Sequence, residues 1–168
     1  MSMRIVVRLL HRCCERTLAA EKLVSAHVVM KWEKPEPNRY LWNAPIEMKA
    51  QLVGRLHLFA NPNFGRSWHF KLRLHTEDVY RLDVRPVRGG HSNPPGRPPG
   101  FPGAVPEPVH EHVWIDGLDL MCARPVPGLD ASDHRATFEA FCSRTNVRFS
   151  PGYVAPQAYE QAQLDTDL

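Results

Sequence analysis

Between residues 67 and 75 the chain alternates without a break. Trp68, Phe70, Leu72 and Leu74 take one side, and His69, Lys71, Arg73 and His75 take the other. A period of two marks a strand with one face on a core and one face polar. Residues 79–87 continue as a second strand after the polar Thr76-Glu77-Asp78 connection, so the two read as an antiparallel hairpin that ends at Gly89-Gly90. Residues 109–115 form a third strand, and residues 119–126 a fourth that Pro125 interrupts. Upstream, residues 46–60 read as extended, with breaks at Gly54 and at the Asn61-Pro62-Asn63 turn. Residues 34–45 hold Pro35, Pro37, Asn38, Asn43 and Pro45 and read as a loop.

Two segments carry helical periodicity. In residues 3–24, Arg4, Arg8, Arg12 and Arg16 recur at every fourth position, which on a helix makes one basic, solvated stripe. Near the other end, Ser132 or Asp133 is a suitable N-cap; Ala136, Phe138, Phe141 and Cys142 share one side; and Asn146 can close the helix in a left-handed conformation. Residues 147–149 add an edge strand. The predicted fold is α+β: a single domain over residues 1–150, with an antiparallel sheet and an N-terminal and a C-terminal helix packed on it. Residues 151–168 read as an acidic, weakly ordered tail.

Composition changes this picture in three places. Seven of the 16 prolines fall between Pro94 and Pro108, so residues 93–108 are neither helix nor central strand but a Pro/Gly-rich loop. The net charge is +3, but the tail carries Glu160, Asp165 and Asp167 with no Lys or Arg, leaving residues 1–150 at +6. A basic body favours an anionic partner, RNA or DNA among them. The four cysteines (Cys13, Cys14, Cys122, Cys142) lack C-x-x-C spacing, which fits reduced thiols in a cytoplasmic protein. No apolar run approaches the ~20 residues of a membrane span, so no membrane partner is expected.

The candidate chemistry lies on either side of the Pro-rich loop. His91-Ser92-Asn93-Pro94 precedes it and His110-Glu111-His112 follows it. Imidazole is suited both to proton transfer near neutral pH and to metal ligation. On a strand, His110, His112 and Trp114 share one face, and on the preceding strand Arg81, Asp83 and Arg85 share one face. Pairing of these strands would bring Arg81 and Asp83 opposite the two histidines. Three readings follow. In a metal-independent ribonuclease, His91, His110 and His112 would be acid–base residues, Asp83 would orient an imidazole, and Arg73 and Arg81 would contact phosphate. In a metal-dependent hydrolase, His91, His110 and His112 would hold a divalent transition metal such as zinc, with Asp83 as a fourth ligand or a supporting partner. In a structural reading, the imidazoles hydrogen-bond the backbone of the loop. His57, His69 and His75 read as surface or rim histidines, Trp68 as core, and His134 as a residue without a role. The Pro-rich loop could also meet a protein partner.

Arg81-Leu82-Asp83-Val84, His91-Ser92-Asn93-Pro94, His110-Glu111-His112-Val113-Trp114 and the segment Phe138 to Val147 together resemble a family of small, functionally uncharacterised bacterial and phage proteins. Its signature is R-x-D, then H-x-N-P, then H-x-H-x-aromatic, and the resemblance spans roughly residues 46–149. Two departures stand out: the loop is longer and richer in proline, and Glu111 replaces an apolar residue, which implies a more exposed opposite sheet face. The resemblance implies an intracellular bacterial or phage origin and supplies no activity. The expectation is a nucleic-acid-acting protein, foremost a His-dependent ribonuclease of toxin or phage–host conflict type. The alternatives are an interaction protein that binds and inhibits a defence or regulatory protein, and the metal-dependent hydrolase.

Overall fold

The computed structural model describes residues 16–37, 39–61, 67–85 and 90–156. After a helical turn at residues 16–19, the strands are β1 (Lys22–Val24), β2 (Glu33–Glu36), β3 (Arg39–Met48), β4 (Gln51–Asn61), β5 (Ser67–Leu74) and β6 (Glu77–Val84). They continue with β7 (His91–Ser92), β8 (Ala104–Val105), β9 (Val109–Val113) and β10 (Ala123–Pro125). Helix α1 (His134–Thr145) and β11 (Val147–Phe149) follow. Among the described residues one sheet of nine strands dominates, in the order β10-β9-β6-β5-β4-β3-β1-β11 with β2 beside β3. β7 and β8 form a separate two-stranded ribbon at the base of the Pro-rich loop.

Alternation decides which face is buried. Tyr40, Trp42, Ala44 and Ile46 of β3, Leu56 and Leu58 of β4, Trp68, Phe70 and Leu72 of β5, and Tyr80, Leu82 and Val84 of β6 all lie on the covered face. Helix α1 packs there, with Phe138 and Phe141 against Phe70 at ring separations of 5.5 and 5.7 Å. Asp133 caps the helix by accepting from the Ala136 amide, and Asn146 closes it at φ 50°. On the other face, cross-strand registers align Asn43, His57, Lys71, Arg81 and His112 in one row, and Leu41, Phe59, His69, Asp83 and His110 in the next.

Three expectations are corrected. The sheet is mixed rather than antiparallel, because β1 pairs β11 in parallel through Lys22, Leu23 and Val24. The N-terminal helix does not run to residue 24. The buried Lys22 ammonium donates to the carbonyls of Thr17, Leu18 and Ala20, which satisfies the C-terminal end of the turn, and the chain then enters β1. Residues 1–15, with Arg4, Arg8, Arg12, Cys13 and Cys14, lie outside the described residues, so the sheet carries one described helix of length, α1. Finally, most of residues 34–45 is strand rather than loop. The aromatic alternation of Tyr40 and Trp42 outweighs the prolines, and Pro45 is tolerated because it falls between the β2 and β1 contacts of β3, on a stretch of edge that needs no donor.

Smaller differences have local causes. Gly54 does not end β4; a Cβ there would lie 2.0 Å from the Arg73 carbonyl oxygen, so glycine permits the close approach of β5. The β5–β6 turn is His75-Thr76, with His75 at φ 53°. Past residue 150, Tyr153 stacks on Phe138 with ring centroids 4.5 Å apart; residues 157–168 lie outside the described set. No described helix is long and apolar enough to cross a membrane.

Candidate functional site

The β6–β9 pairing builds the site. Asp83 pairs with His110 and Arg81 with His112, so all four side chains stand on the face opposite α1. The third histidine arrives from the ribbon. His91 opens β7, and Asn93 anchors the chain behind it: its amide donates to the carbonyls of Pro102 and Ala123, and its carbonyl oxygen accepts from the Ala123 N–H. This locks the Pro-rich loop onto β10 beside β9. The His91 ring then lies 4.7 Å from that of His112 and 6.0 Å from that of His110, which are themselves 5.3 Å apart.

Tautomers follow from the backbone. His112 Nδ1 is 2.8 Å from the Leu120 carbonyl oxygen, which can only accept, so Nδ1 carries the hydrogen. His110 Nδ1 faces the Glu107 carbonyl at 3.3 Å in the same way. Both Nε2 atoms are thereby turned inward, toward Asp83. They stand 3.5 Å (His112) and 3.8 Å (His110) from Asp83 Oδ2, and His110 Nε2 has no hydrogen-bond partner. Burial holds the His110 pKa below the ordinary imidazole value despite the Asp83 charge. Asp83 is 2% exposed, and burial alone would raise its pKa. The contact with His112 and the Arg81 charge hold it well below the usual carboxylate range.

Two guanidinium groups edge the cluster. Arg81 Nε is 2.8 Å from Asp83 Oδ1, close enough for charge attraction but not aligned as a hydrogen bond, while its Nη2 donates to His112 Nε2 at 3.0 Å. Arg85 Nη2 reaches Asp83 Oδ2 at 3.4 Å. Asp83, His110 and His112 are closed to solvent, whereas Arg81, Arg85 and His91 are partly exposed and form the approach. Within the cluster, Asp83, His110 and His112 each offer one ligand atom, all within 4.8 Å of one another. His91 stands outside that set: its Nε2 donates to the Met121 carbonyl at 2.8 Å. Burial lowers its pKa, partly offset by that hydrogen bond.

Arg73 does not join them. It sits four residues along β5 from His69, the residue paired with Asp83, and its Nε is bound to Asp78 at 2.8 Å. Glu111 shows no exposed face either, against the expectation. It is 2% exposed on the α1 side and accepts from Tyr80, Arg124 and Arg144. Sequence reasoning passed over His69, which is largely buried beside Asp83, with burial first among the causes that pull its pKa to about 4. It also gave no role to Arg85. The alternation of β5 and the R-x-D-x-R spacing of β6 would have placed both. His134 is core: its ring packs on Trp68 and Phe70 at 4.9 and 5.2 Å and meets the Tyr153 hydroxyl.

No protein-family model, curated protein or solved structure matches this chain.

Proposed function

We propose that this chain is a metal-dependent hydrolase of phosphate esters, with Asp83, His110 and His112 as the ligands of a divalent transition ion such as zinc. The observation that carries the reading is the convergence of three potential ligand atoms within 4.8 Å, two of them imidazole nitrogens turned inward by backbone carbonyls. Metal-binding histidines are held in this way, the second ring nitrogen donating to a carbonyl or carboxylate. His110 Nε2 is buried without a hydrogen-bond partner, and an ion would satisfy it. Three protein ligands leave a further coordination position open, the pattern of catalytic rather than structural zinc. The ion would supply an activated water and a Lewis acid. Arg81 and Arg85 at the approach favour an anionic ester and neutralise developing charge. Loading requires Arg81 to swing away from His112 Nε2, and its side chain, 30% exposed, has solvent to swing into. His91 covers the centre, and its free Nδ1 is the group placed to move a proton.

A metal-independent ribonuclease fits the geometry less well, because both Nδ1 atoms are held by backbone carbonyls and both Nε2 atoms converge on Asp83, rather than flanking a scissile phosphate from two sides. The test is elemental analysis of purified protein together with cleavage of RNA and of a small phosphodiester, with and without chelator. About one zinc-class ion per chain is expected. Cleavage should fall at least a hundredfold with chelator and return on adding metal, and His110→Ala should lose both metal and cleavage. Metal-free protein whose cleavage ignores chelator but needs His110 would overturn the reading in favour of acid–base chemistry.

A further inference from the structure

Beside the Asp83 cluster, on the same sheet face, a cavity of about 730 Å³ opens over β3, β4 and β5. Its size suits a small molecule or one unit of a polymer. Phe59 and His69 line it stacked on each other, ring centroids 4.6 Å apart at an interplanar angle of 15°, so the outer face of Phe59 is its platform. The Arg39 guanidinium lies over the Phe59 ring at 5.6 Å, while its own charge meets Glu36 at the rim. Asn43 and His57 line the wall, and His57 Nε2 is buried without a hydrogen-bond partner.

We propose that this cavity is a base-binding subsite for single-stranded nucleic acid, which delivers the neighbouring phosphate to the Asp83–His110–His112 centre. A flat ring can insert between the outer face of Phe59 and the half-exposed Arg39 guanidinium, since every nucleobase has a π-face and stacks on aromatic rings and guanidinium planes. A polar ring edge answers His57 Nε2 and the Asn43 amide. A purely apolar ligand would leave the imidazole unsatisfied, and a bare phosphate would leave the platform unused. The placement is continuous with the catalytic face: His69 pairs with Asp83, and Lys71 with Arg81. From Phe59, Asp83 is two strand spacings away and His110 three, roughly 10–15 Å, within reach of one or two nucleotide steps. Identifying the ligand as substrate rests on the hydrolytic reading above; the binding itself does not.

The experiment is fluorescence anisotropy with a labelled ten-nucleotide single-stranded RNA, in chelator so that no cleavage occurs. Saturable binding is expected, weakened about tenfold by Phe59→Ala and likewise by Phe59→Leu, which keeps apolar volume and fold. Phe59→Leu should keep the parent's metal content by elemental analysis while losing RNA affinity, so the two readings fail separately. The proposal is overturned by absence of saturable binding, by Phe59→Leu binding as well as the parent, or by inorganic phosphate displacing the RNA at equal concentration.

Discussion

Two carboxylates lie on opposite faces of one sheet, and the contrast between them separates structure from site. Glu111 and Asp83 are both 2% exposed, and each meets two guanidinium groups. Glu111 faces α1 and every group around it donates: Arg124 Nε at 2.6 Å, Arg144 Nη1 at 2.8 Å and the Tyr80 hydroxyl. Burial, with Glu111 next, drives the Tyr80 pKa well above the ordinary phenol value, which keeps that donor protonated. This is a closed account: buried charge, matched donors, nothing left over. Asp83 faces the other way. Two of its neighbours are imidazole nitrogens, His110 Nε2 and His112 Nε2, and buried His110 Nε2 has no hydrogen-bond partner. Fully satisfied buried networks fix a fold, whereas unsatisfied ones call for a partner from outside.

Removing each carboxylate is the sharpest way to break that comparison. In chelator, Glu111→Ala is expected to cost about 2–4 kcal/mol, toward the lower part of the range for breaking a buried pair, because Arg124 and Arg144 are 48% and 37% exposed and can rehydrate. Asp83→Asn should cost less, about 1–3 kcal/mol, since its amide keeps a polar group in place and Arg81 and Arg85, 30% and 47% exposed, can rehydrate. Zinc at a hundredfold excess over its dissociation constant should then stabilise the parent by about 2.7 kcal/mol and leave Asp83→Asn unmoved. Chemical denaturation measures all three. Equal costs for the two substitutions, with no response to zinc, would make Asp83 a second structural hub and remove the distinction.

The legibility of these two faces in the sequence was unequal. Strand alternation in β5, β6 and β9 is local, so it assigned Trp68 to the core and set Arg81, Asp83, His110 and His112 on shared faces before any pairing was known. The capping residues of α1 were equally readable, because Asp133 and Asn146 act within a few residues of themselves. What was hidden depends on long-range pairing. The parallel contact of β1 with β11 joins residues more than 120 positions apart and leaves no local pattern. Glu111 looked like an exposed polar residue because its partners Tyr80, Arg124 and Arg144 come from three other elements. Arg73 was chosen for its face alone, and only the register reveals that Asp78 already holds it. The cavity beside His69 needed β3, which proline and asparagine punctuation disguised as a loop.

A buried histidine on each face sharpens the comparison further. His134, on the α1 side, is packed among Trp32, Trp68, Phe70 and Tyr153, and burial pulls its pKa to about 3. The unfolded chain takes up that proton near pH 6.5 and the folded chain only near 3. Between those values the unfolded state binds more protons, so stability falls as pH falls. Within that window the folding equilibrium should lose up to about tenfold per pH unit from this group. His134→Phe, which keeps a ring in the pocket, should flatten the acid limb of a stability–pH curve without altering metal content. An unchanged slope in that variant would mean that the acid sensitivity arises elsewhere.

The smallest expected effect concerns the arginines. Arg73 is 41% exposed and bound to Asp78, an ordinary surface pair with a worth of less than about 1 kcal/mol. Its hydrogen bond to Asp78 is the first cause of its raised pKa, so its charge is already spent locally. Arg73→Ala should therefore leave phosphodiester cleavage within about twofold of the parent. Arg85→Ala removes a guanidinium that touches Asp83 and should lower kcat/KM about tenfold or more. Steady-state kinetics on one small phosphodiester compares the two directly. If Arg73→Ala proved the more damaging, phosphate would be read along β5, away from the histidines, and the reactive face would have to be redrawn around Lys71 and Asp78.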